Sequence, residues 1–409
     1  MVFKKWLDTY RNWLLKRTGG DRDKAGRLEK RIWILSAAAA ALLALIIVLI
    51  VFIARGGGGE PIETEVPMPT ETAAPTPTPT PSPTPEPTPE PFDGDLNPLT
   101  GLPLPEGAEP GRRPTAIMLN NLRKALPMSG NADADIIYEI LAEGGITRML
   151  GVYYAPDELE KIGTVRSART YYLEAALGHD AIFVHAGGSY IVYDEIKAWG
   201  LQTLDYVRGG SYAAGMAWRD EVRRKNVGME HSVYTSGERL LATYEKTSIR
   251  TALREAYQLG WRFEEDAAPA AGEAGAPPFR AEKVSVPFVR GKSTIFTYDE
   301  ATRLYTVDQY GEPFLDEQKD EPVRVSNVLS LNTDVAPVPG DREGRLNIRM
   351  TGEGTGWWAA GGHAVPIRWS KASRDDPFVF TLNDGTPLIL AAGKSYICVV
   401  GATNTPEFE

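Results

Sequence analysis

The hydropathy pattern begins with an uninterrupted apolar stretch near the N-terminus. Residues 32–54 form a run of 23 residues without a charged side chain, and Lys30, Arg31 and Arg55 flank it. As an α-helix, a run of this length crosses a hydrocarbon core about 30 Å thick. The pattern therefore predicts a single transmembrane helix. A cleaved signal peptide is the main alternative, but the run is too long for the apolar region of a signal peptide.

The charge pattern around this stretch predicts its orientation. Residues 1–31 contain ten Lys or Arg and four Asp or Glu residues. Positively charged flanks stay in the cytoplasm, so the basic head 1–31 is expected inside the cell. All later residues are then expected outside, which predicts a single-pass protein of the cell membrane with extracytoplasmic folded domains.

A linker rich in Pro and Thr follows at 55–96. Its alternating prolines fix φ and remove backbone donors, so neither a helix nor a sheet can propagate through it. We therefore predict a disordered stalk that holds the folded part away from the bilayer.

Strand and helix patterns alternate from residue 97 to 266, which predicts an N-terminal domain of α/β type. A strand is expected at 115–121, and two apolar runs around Gly144 and Gly145 are typical of a hairpin. Four helices are expected after the Ser residues that could cap them. They are helices ending at Gly178 and Gly200, capped by Ser167 and Ser189, and helices near 237–246 and 249–259, capped by Ser236 and Ser248.

The pattern changes after a flexible loop predicted at 267–278. Apolar and polar residues then alternate with period two, separated by short turns, to the end of the chain. We therefore expect a β-rich C-terminal domain, 279–409, whose mostly antiparallel sheet packs against the first domain. The fold class predicted for the whole folded part is α+β.

Composition excludes some partners. The chain has 44 basic and 54 acidic residues, and without the basic head the net charge is −16. An acidic surface does not favour nucleic acid, whose phosphates need a basic face. Cys398 is the sole cysteine, so no intramolecular disulfide forms and the cores must hold the domains together.

Several segments together resemble one family. They are NPLTGLPL, RRPTAIMLNN, ADIIYEILAEGGITRMLGVYY, IGTVRSAR, AIFVHAGGS, FTYDEATRLYTVDQYGEPFLD and DREGRLNIRMTGEGTGWWAAGGHAVPIRWSK. Across roughly residues 97–400 the chain resembles the YerB-like lipoproteins of Gram-positive bacteria. The resemblance implies an envelope location and a two-part domain without an established activity. Relatives are usually held by a lipid on an N-terminal Cys, whereas this chain has the predicted membrane helix.

The first candidate site is the turn after the predicted strand at 181–188. His185 ends this strand, Gly187 and Gly188 allow a close backbone approach, and Ser189 begins the next helix. Backbone N–H groups at such a turn can bind an anion. These four residues could therefore form the floor of a site. A tight turn with a capping Ser and a structural His is the equally plausible alternative.

The second candidate is a group of arginines. Arg166 and Arg169 are three residues apart at an expected helix start, and Arg148 and Glu143 precede them. Guanidinium groups suit carboxylates and phosphates, and cations at a helix N-terminus need a compensating anion. That anion could be a ligand, or it could be Glu143 or Asp194 in a structural ion-pair network.

His231 is the third candidate, next to Glu230. A zinc site with His185 would match no known ligand spacing, so we expect no metal and no cofactor. Ser167 or Ser189 paired with a His would suit hydrolysis, but no nucleophile motif supports that pairing.

Tryptophans offer a further possibility. Trp357 and Trp358 lie beside glycines and Trp369 follows nearby, so an exposed aromatic platform could stack on sugar rings. Packing in the core is the commoner fate of Trp and is the interpretation that we favour.

The expected function follows from these features. The sequence favours a membrane-anchored extracytoplasmic protein that binds a wall-associated ligand, which could be a glycan, a peptide or a small anion. One alternative is a wall hydrolase centred on His185, His231 and the cluster of Arg148, Arg166 and Arg169. The other is an envelope scaffold that assembles membrane proteins. The expected partners are the membrane and a wall polymer or envelope protein.

Overall fold

The computed structural model describes residues 96–269 and 278–409. The predicted basic head, the membrane helix at 32–54 and the linker up to residue 95 lie outside the described residues, as does most of the loop predicted at 267–278. No helix within the two described ranges is both long and apolar enough to span a membrane.

The first described range, 96–269, contains strands and all the described α-helices. Its strands are β1 Thr115–Leu119, β2 Ile136–Leu141, β3 Thr147–Tyr153, β4 Ile162–Gly163, β5 Ile182–His185, β6 Leu204–Asp205, β7 Ala217–Arg219, β8 Val233–Thr235 and β9 Arg262–Glu264. Its α-helices are α1 Thr170–Leu177, α2 Tyr190–Ala198, α3 Ala213–Met216, α4 Glu221–Asn226 and α5 Gly237–Thr247.

The second described range, 278–409, is built of strands. They are β10 Phe279–Arg280, β11 Lys283–Val289, β12 Lys292–Asp299, β13 Leu304–Gln309, β14 Glu312–Pro313, β15 Leu315–Asp316, β16 Glu321–Pro322, β17 Arg324–Val325, β18 Asn327–Thr333, β19 Val335–Pro337, β20 Leu346–Ile348, β21 Gly352–Ala360, β22 His363–Lys371, β23 Val379–Leu382, β24 Ile389–Ala391, β25 Ser395–Gly401 and β26 Glu407–Phe408. The predicted α+β fold class is confirmed, and the described residues form many strands and few helices.

One large sheet joins the two ranges. Its order is β10-β22-β21-β18-β25-β2-β3-β1-β5-β6, and β23 pairs with β22. β25 lies between β18 and β2 and runs parallel to both. The prediction that the C-terminal strands form a sheet packed against the first domain is therefore wrong for this group. β2 and all but the last residue of β25 are buried, which is typical of central strands covered on both faces.

A second sheet in the described part contains only C-terminal strands. Its order is β14-β13-β12-β11-β26, β17 pairs with β13, and all of these pairings are antiparallel. Alternating burial along β11, β12 and β13 matches the period-two pattern of the sequence.

Local sequence signals predict some elements correctly. β2 and β3 form the hairpin expected around Gly144 and Gly145. Ser189 caps α2 by accepting from Val192 N–H, and Ser236 caps α5 in the same way. These elements depend only on short-range contacts.

Two helix predictions fail, one at its start and one altogether. The helix expected to end at Gly178 forms, but it begins at Thr170 and Ser167 does not cap it. Ala168 N–H donates to Gly187 O at 2.9 Å, which holds the segment before α1 extended. No helix follows Ser248, which ends α5 in the left-handed conformation. The residues that follow form hydrogen bonds with a distant segment instead: Leu253 N–H donates to Gly111 O at 2.8 Å.

A buried ion pair connects the two sheets. Nζ of Lys292 on β12 lies 2.7 Å from Oε1 of Glu139 on β2, and neither side chain is more than 4% exposed. Uncharged side chains complete the hydrogen bonds of the carboxylate: Asn121, Thr147, Thr294, Gln309 and Tyr396. Burial alone would raise the pKa of Glu139, but Lys292 and these donors outweigh burial and lower it.

His179 makes stability depend on pH. Its Nε2 lies 2.7 Å from the hydroxyl of Tyr138, and burial, followed by the charge of Lys371, lowers its pKa to about 3. The unfolded chain binds a proton at this ring near pH 6.5, whereas the folded chain does not. The contribution of the neutral His179 ring to the free energy of unfolding is complete above pH 6.5 and is lost as the pH falls towards 3. At pH 5 we expect a loss of about 2 kcal/mol relative to pH 7.5.

Urea unfolding of the wild type and of His179→Phe at pH 7.5 and pH 5 measures this loss. The difference in unfolding free energy between the two proteins should shift by about 2 kcal/mol in favour of the variant at pH 5. Comparing the proteins at each pH cancels the other titrating groups. If this difference were the same at pH 5 and pH 7.5, the pH dependence could not be assigned to His179.

Candidate functional site

A cleft of about 310 Å³ lies beside the carboxyl end of β5. The turn Ala186–Gly188 forms one wall, and the single helical turn Met229–His231 forms another. Three guanidinium groups line the cleft, those of Arg166, Arg208 and Arg219. We call it the arginine cleft.

The chain fixes Arg166 at the base of the cleft. Its backbone N–H donates to Met118 O at 2.9 Å and its carbonyl accepts from Ala186 N–H at 3.0 Å, so the segment bridges the ends of β1 and β5. The guanidinium donates from Nη1 to Glu230 O at 2.7 Å, and only 9% of the side chain is exposed. Burial lowers the pKa of Arg166. The group is therefore a rigid, poorly hydrated cation.

Arg208 and Arg219 are held by neutral groups. The guanidinium of Arg208 lies 3.5 Å from the ring centre of Tyr193, a cation–π contact. Arg219 donates to the carbonyl of Met229. Within 96–269 and 278–409, neither arginine has a carboxylate within salt-bridge distance. Both charges therefore remain available to an anion in the cleft.

His231 is a neutral donor behind the cleft. Its Nδ1 lies 2.8 Å from Nδ2 of Asn120, whose Oδ1 already accepts from Leu122 N–H. Nδ1 therefore accepts, and the proton sits on Nε2, which lies 3.1 Å from Oε1 of Glu230. Burial, followed by the charge of Arg166, lowers the pKa of His231 to about 4.

The turn after β5 binds an anion from its own chain. Gly187, with φ of +80°, donates its N–H to Oδ1 of Asp205 at 2.8 Å. His185 lies behind the turn, fully buried, with Nδ1 2.8 Å from Gly187 O and Nε2 3.1 Å from Thr203 Oγ1. Gly187 and Gly188 line the arginine cleft, whereas the ring of His185 supports the turn from within.

Glu143 organises the remaining predicted arginines. Its carboxylate contacts Arg169, and it lies 3.5 Å from Arg148. Arg148 donates to Ser167 O at 2.8 Å, and burial, followed by the charge of Arg169, lowers its pKa to about 10. This ion-pair network braces the segment that carries Arg166. Arg169 lines a neighbouring groove of about 340 Å³ instead of the arginine cleft.

The predicted candidates are therefore divided among three places. Those lining the arginine cleft are Arg166, Ser167, Gly187 and Gly188, with His231 directly behind it. Arg169 and Ser189 line the neighbouring groove. Glu143, Arg148 and His185 lie in the surrounding framework.

The described residues give little support to nucleophilic chemistry. Ser167 Oγ donates to Ala186 O at 3.0 Å, and Ser189 Oγ accepts from Val192 N–H, so neither hydroxyl contacts a His there. No cluster of three metal-binding side chains occurs in the two described ranges.

Sequence reasoning missed Arg208, Arg219 and Tyr193. Arg208 and Arg219 lie in a stretch, 201–234, whose abundance of Gly and Arg is the signal that could have found them. Tyr193 lies on the predicted helix after Ser189, where no motif marks it. Of the three tryptophans considered for an aromatic platform, Trp358 and Trp369 are buried, and Trp357 packs on Phe408 with ring centres 4.9 Å apart.

Comparisons with known proteins place this chain in a family. Residues 99–250 match the family described as "Protein of unknown function (DUF3048) N-terminal domain", and residues 284–397 match its C-terminal domain. The chain belongs to this two-part, YerB-like family.

A relative from Bacillus subtilis (strain 168) is named "Putative lipoprotein YerB". It is 28% identical over 308 residues, which cover 74% of this chain and 85% of the relative. A crystal structure of YerB from Bacillus subtilis aligns with a TM-score of 0.62 and 25% identity, over 75% of this chain and 96% of that chain. The relationship agrees with an extracytoplasmic protein of unknown function.

Proposed function

We propose that the protein is anchored in the membrane by the helix predicted at 32–54 and binds an anionic group of a wall-associated ligand in the arginine cleft. The ligand would be a glycan, a peptide or a small anion. One observation carries the proposal: three arginines share a cleft in which Glu230 is the only acidic residue among the described residues that line it.

The charge balance of the chain gives this observation weight. The chain is acidic overall, with 54 acidic against 44 basic residues, so three cations around one small cleft oppose the general trend. A cleft lined by charges of one sign focuses the electric field and so strengthens the attraction of an anion to these cations. Guanidinium groups bind carboxylates and phosphates through charge-assisted hydrogen bonds.

The same geometry ranks the alternatives. The hydrogen bonds of His185 and His231 engage framework groups, so they supply no paired nucleophile for a hydrolase. Binding requires only the fixed cations that the cleft has. The proposed partners are therefore the membrane and a wall polymer or envelope protein.

Co-sedimentation of the full chain, in detergent, with purified wall polymers tests the proposal. Arg208→Gln combined with Arg219→Gln should weaken binding about a hundredfold or more, because each of the two lost charge-assisted hydrogen bonds contributes about 1.5–3 kcal/mol. These side chains make no buried hydrogen bond to a charged group, so the fold should persist.

A double variant of equal charge serves as the control. It combines Arg224→Gln with Lys225→Gln. Among the described residues the guanidinium of Arg224 pairs with the exposed Glu221 outside the cleft, and Lys225 follows it on α4. This control should be retained like the wild type. Equal retention of the cleft variant and the control would overturn the proposal.

A further inference from the structure

We infer that the arginine cleft is built for a carboxylate, and that the side chain of Glu230 occupies the ligand's place until a ligand displaces it. The inference rests on the proposed function and specifies its ligand class. It predicts that removing a carboxylate from the protein tightens binding.

Glu230 already shows how a carboxylate fits. Its Oε2 lies 3.4 Å from Nη1 of Arg166, and its Oε1 lies 3.1 Å from Nε2 of His231. Each oxygen faces a different donor, one cationic and one neutral. A planar group with two oxygens, as in a carboxylate, matches this pair.

The two donors are fixed, whereas the acceptor is not. The side chains of Arg166 and His231 are 9% and 0% exposed, but that of Glu230 is 61% exposed. Glu230 lies on a single helical turn that follows Gly228, whose φ is +120°. An exposed side chain on so short an element can turn into solvent at little cost, because few contacts hold it.

Glu230 also satisfies its partners incompletely. Within 96–269 and 278–409, the buried Nε2 of His231 has no hydrogen bond of good geometry, despite its short distance to Oε1 of Glu230. Nε of Arg166 is likewise buried without a hydrogen-bond partner in the described part of the chain. Unpaired buried donors are costly. A ligand carboxylate free to choose its position could pair them better than a tethered one.

Apolar side chains in the arginine cleft indicate the rest of the ligand. Met229 and Val207 line the cleft and are 61% and 58% exposed. Large apolar side chains exposed together at a cleft are typical of a binding surface. The geometry therefore suits a carboxylate attached to a small apolar group, such as the C-terminal residue of a peptide.

Calorimetric titration of the full chain in detergent tests the inference. The probe is N-acetylalanine, used as either enantiomer, with the uncharged N-acetylalaninamide and with inorganic phosphate for comparison. Glu230→Gln should lower the dissociation constant for N-acetylalanine about tenfold, because the cleft is no longer mostly occupied by its own carboxylate. Glu230→Ala should act in the same direction, and the amide should not bind.

Glu221→Gln on α4 is the matched control. It removes one exposed carboxylate and changes the net charge equally, but its side chain lies outside the cleft. Its dissociation constant should equal that of the wild type. If Glu230→Gln binds no better than the wild type, or if Glu221→Gln tightens binding as much, the displacement idea is wrong.

The outcomes separate this inference from the proposed function. The assignment to a carboxylate would be overturned if Glu230→Gln bound phosphate more tightly than N-acetylalanine. It would also be overturned if none of the proteins bound N-acetylalanine. Retention on wall polymers is measured independently and would decide the proposed function in either case.

Discussion

Replacing Lys292 with methionine is expected to lower the free energy of unfolding by about 3–5 kcal/mol. The substitution removes the cation that lies 2.7 Å from Glu139 and leaves the carboxylate buried without its counter-charge. The remaining hydroxyl and amide donors reduce this cost but cannot replace a full charge. Urea unfolding at pH 7.5 gives the loss directly.

A lysine on the neighbouring strand provides the control. Lys283 on β11 pairs with Glu409 at 3.1 Å, but the side chains are 43% and 73% exposed. Lys283→Met should cost about 1 kcal/mol or less, since water screens exposed ion pairs.

Adding Glu139→Gln to Lys292→Met should recover part of the lost free energy of unfolding, because no buried charge remains. Similar losses for the two single lysine variants would contradict the structural role of the buried pair.

Gly237→Ala should destabilise the protein by about 2–3 kcal/mol. Gly237 begins α5, where alanine normally stabilises a helix relative to glycine. Here an added Cβ would lie 2.1 Å from the carbonyl oxygen of Asp157 and 2.2 Å from that of Pro156. These are backbone atoms, so the helix or the loop must move.

Gly215→Ala makes the same chemical change in an open position. Among the described residues, no heavy atom beyond its chain neighbours and its own helix backbone lies within 4 Å of a Cβ built at Gly215 in α3. This variant should be as stable as the wild type or gain about 0.5–1 kcal/mol. Thermal melts of the two variants should therefore shift in opposite directions, or only that of Gly237→Ala should fall. If Gly237→Ala melted at the same temperature as the wild type, the loop that carries Pro156 and Asp157 would move without a loss of stability, which would contradict the prediction.

Elements specified by neighbouring residues were predictable from the sequence. The hairpin of β2 and β3 follows from two apolar runs and a glycine turn, and Ser189 and Ser236 cap their helices within three residues. The helix expected after Ser248 fails because tertiary hydrogen bonds outweigh a capping signal.

Long-range pairings were not predictable. The hydroxyl of Tyr396 donates to Glu139 across 257 residues of sequence, and no local pattern specifies which distant strand lies beside β2. The apolar character of β25 indicated a buried strand but not its neighbours.

The candidate site was predictable only in part, for a related reason. Arg166, Gly187 and Gly188 stand out beside recognisable elements, and the structure places all three on one cleft. Arg208 comes from a connecting segment and Arg219 from the short strand β7, and neither belongs to a motif. Glu230 was noted only as a neighbour of His231, since its position opposite Arg166 depends on how the turn packs.

The insertion of β25 between β18 and β2 sets the order in which the chain can be completed. A ribosome or an export channel releases the polypeptide from its N-terminus, so β2 and β18 keep open edges until Ser395 and the residues after it emerge. Exposed edges invite wrong pairing with other chains. A product shortened before this seven-residue strand would therefore leave the central sheet divided between β18 and β2.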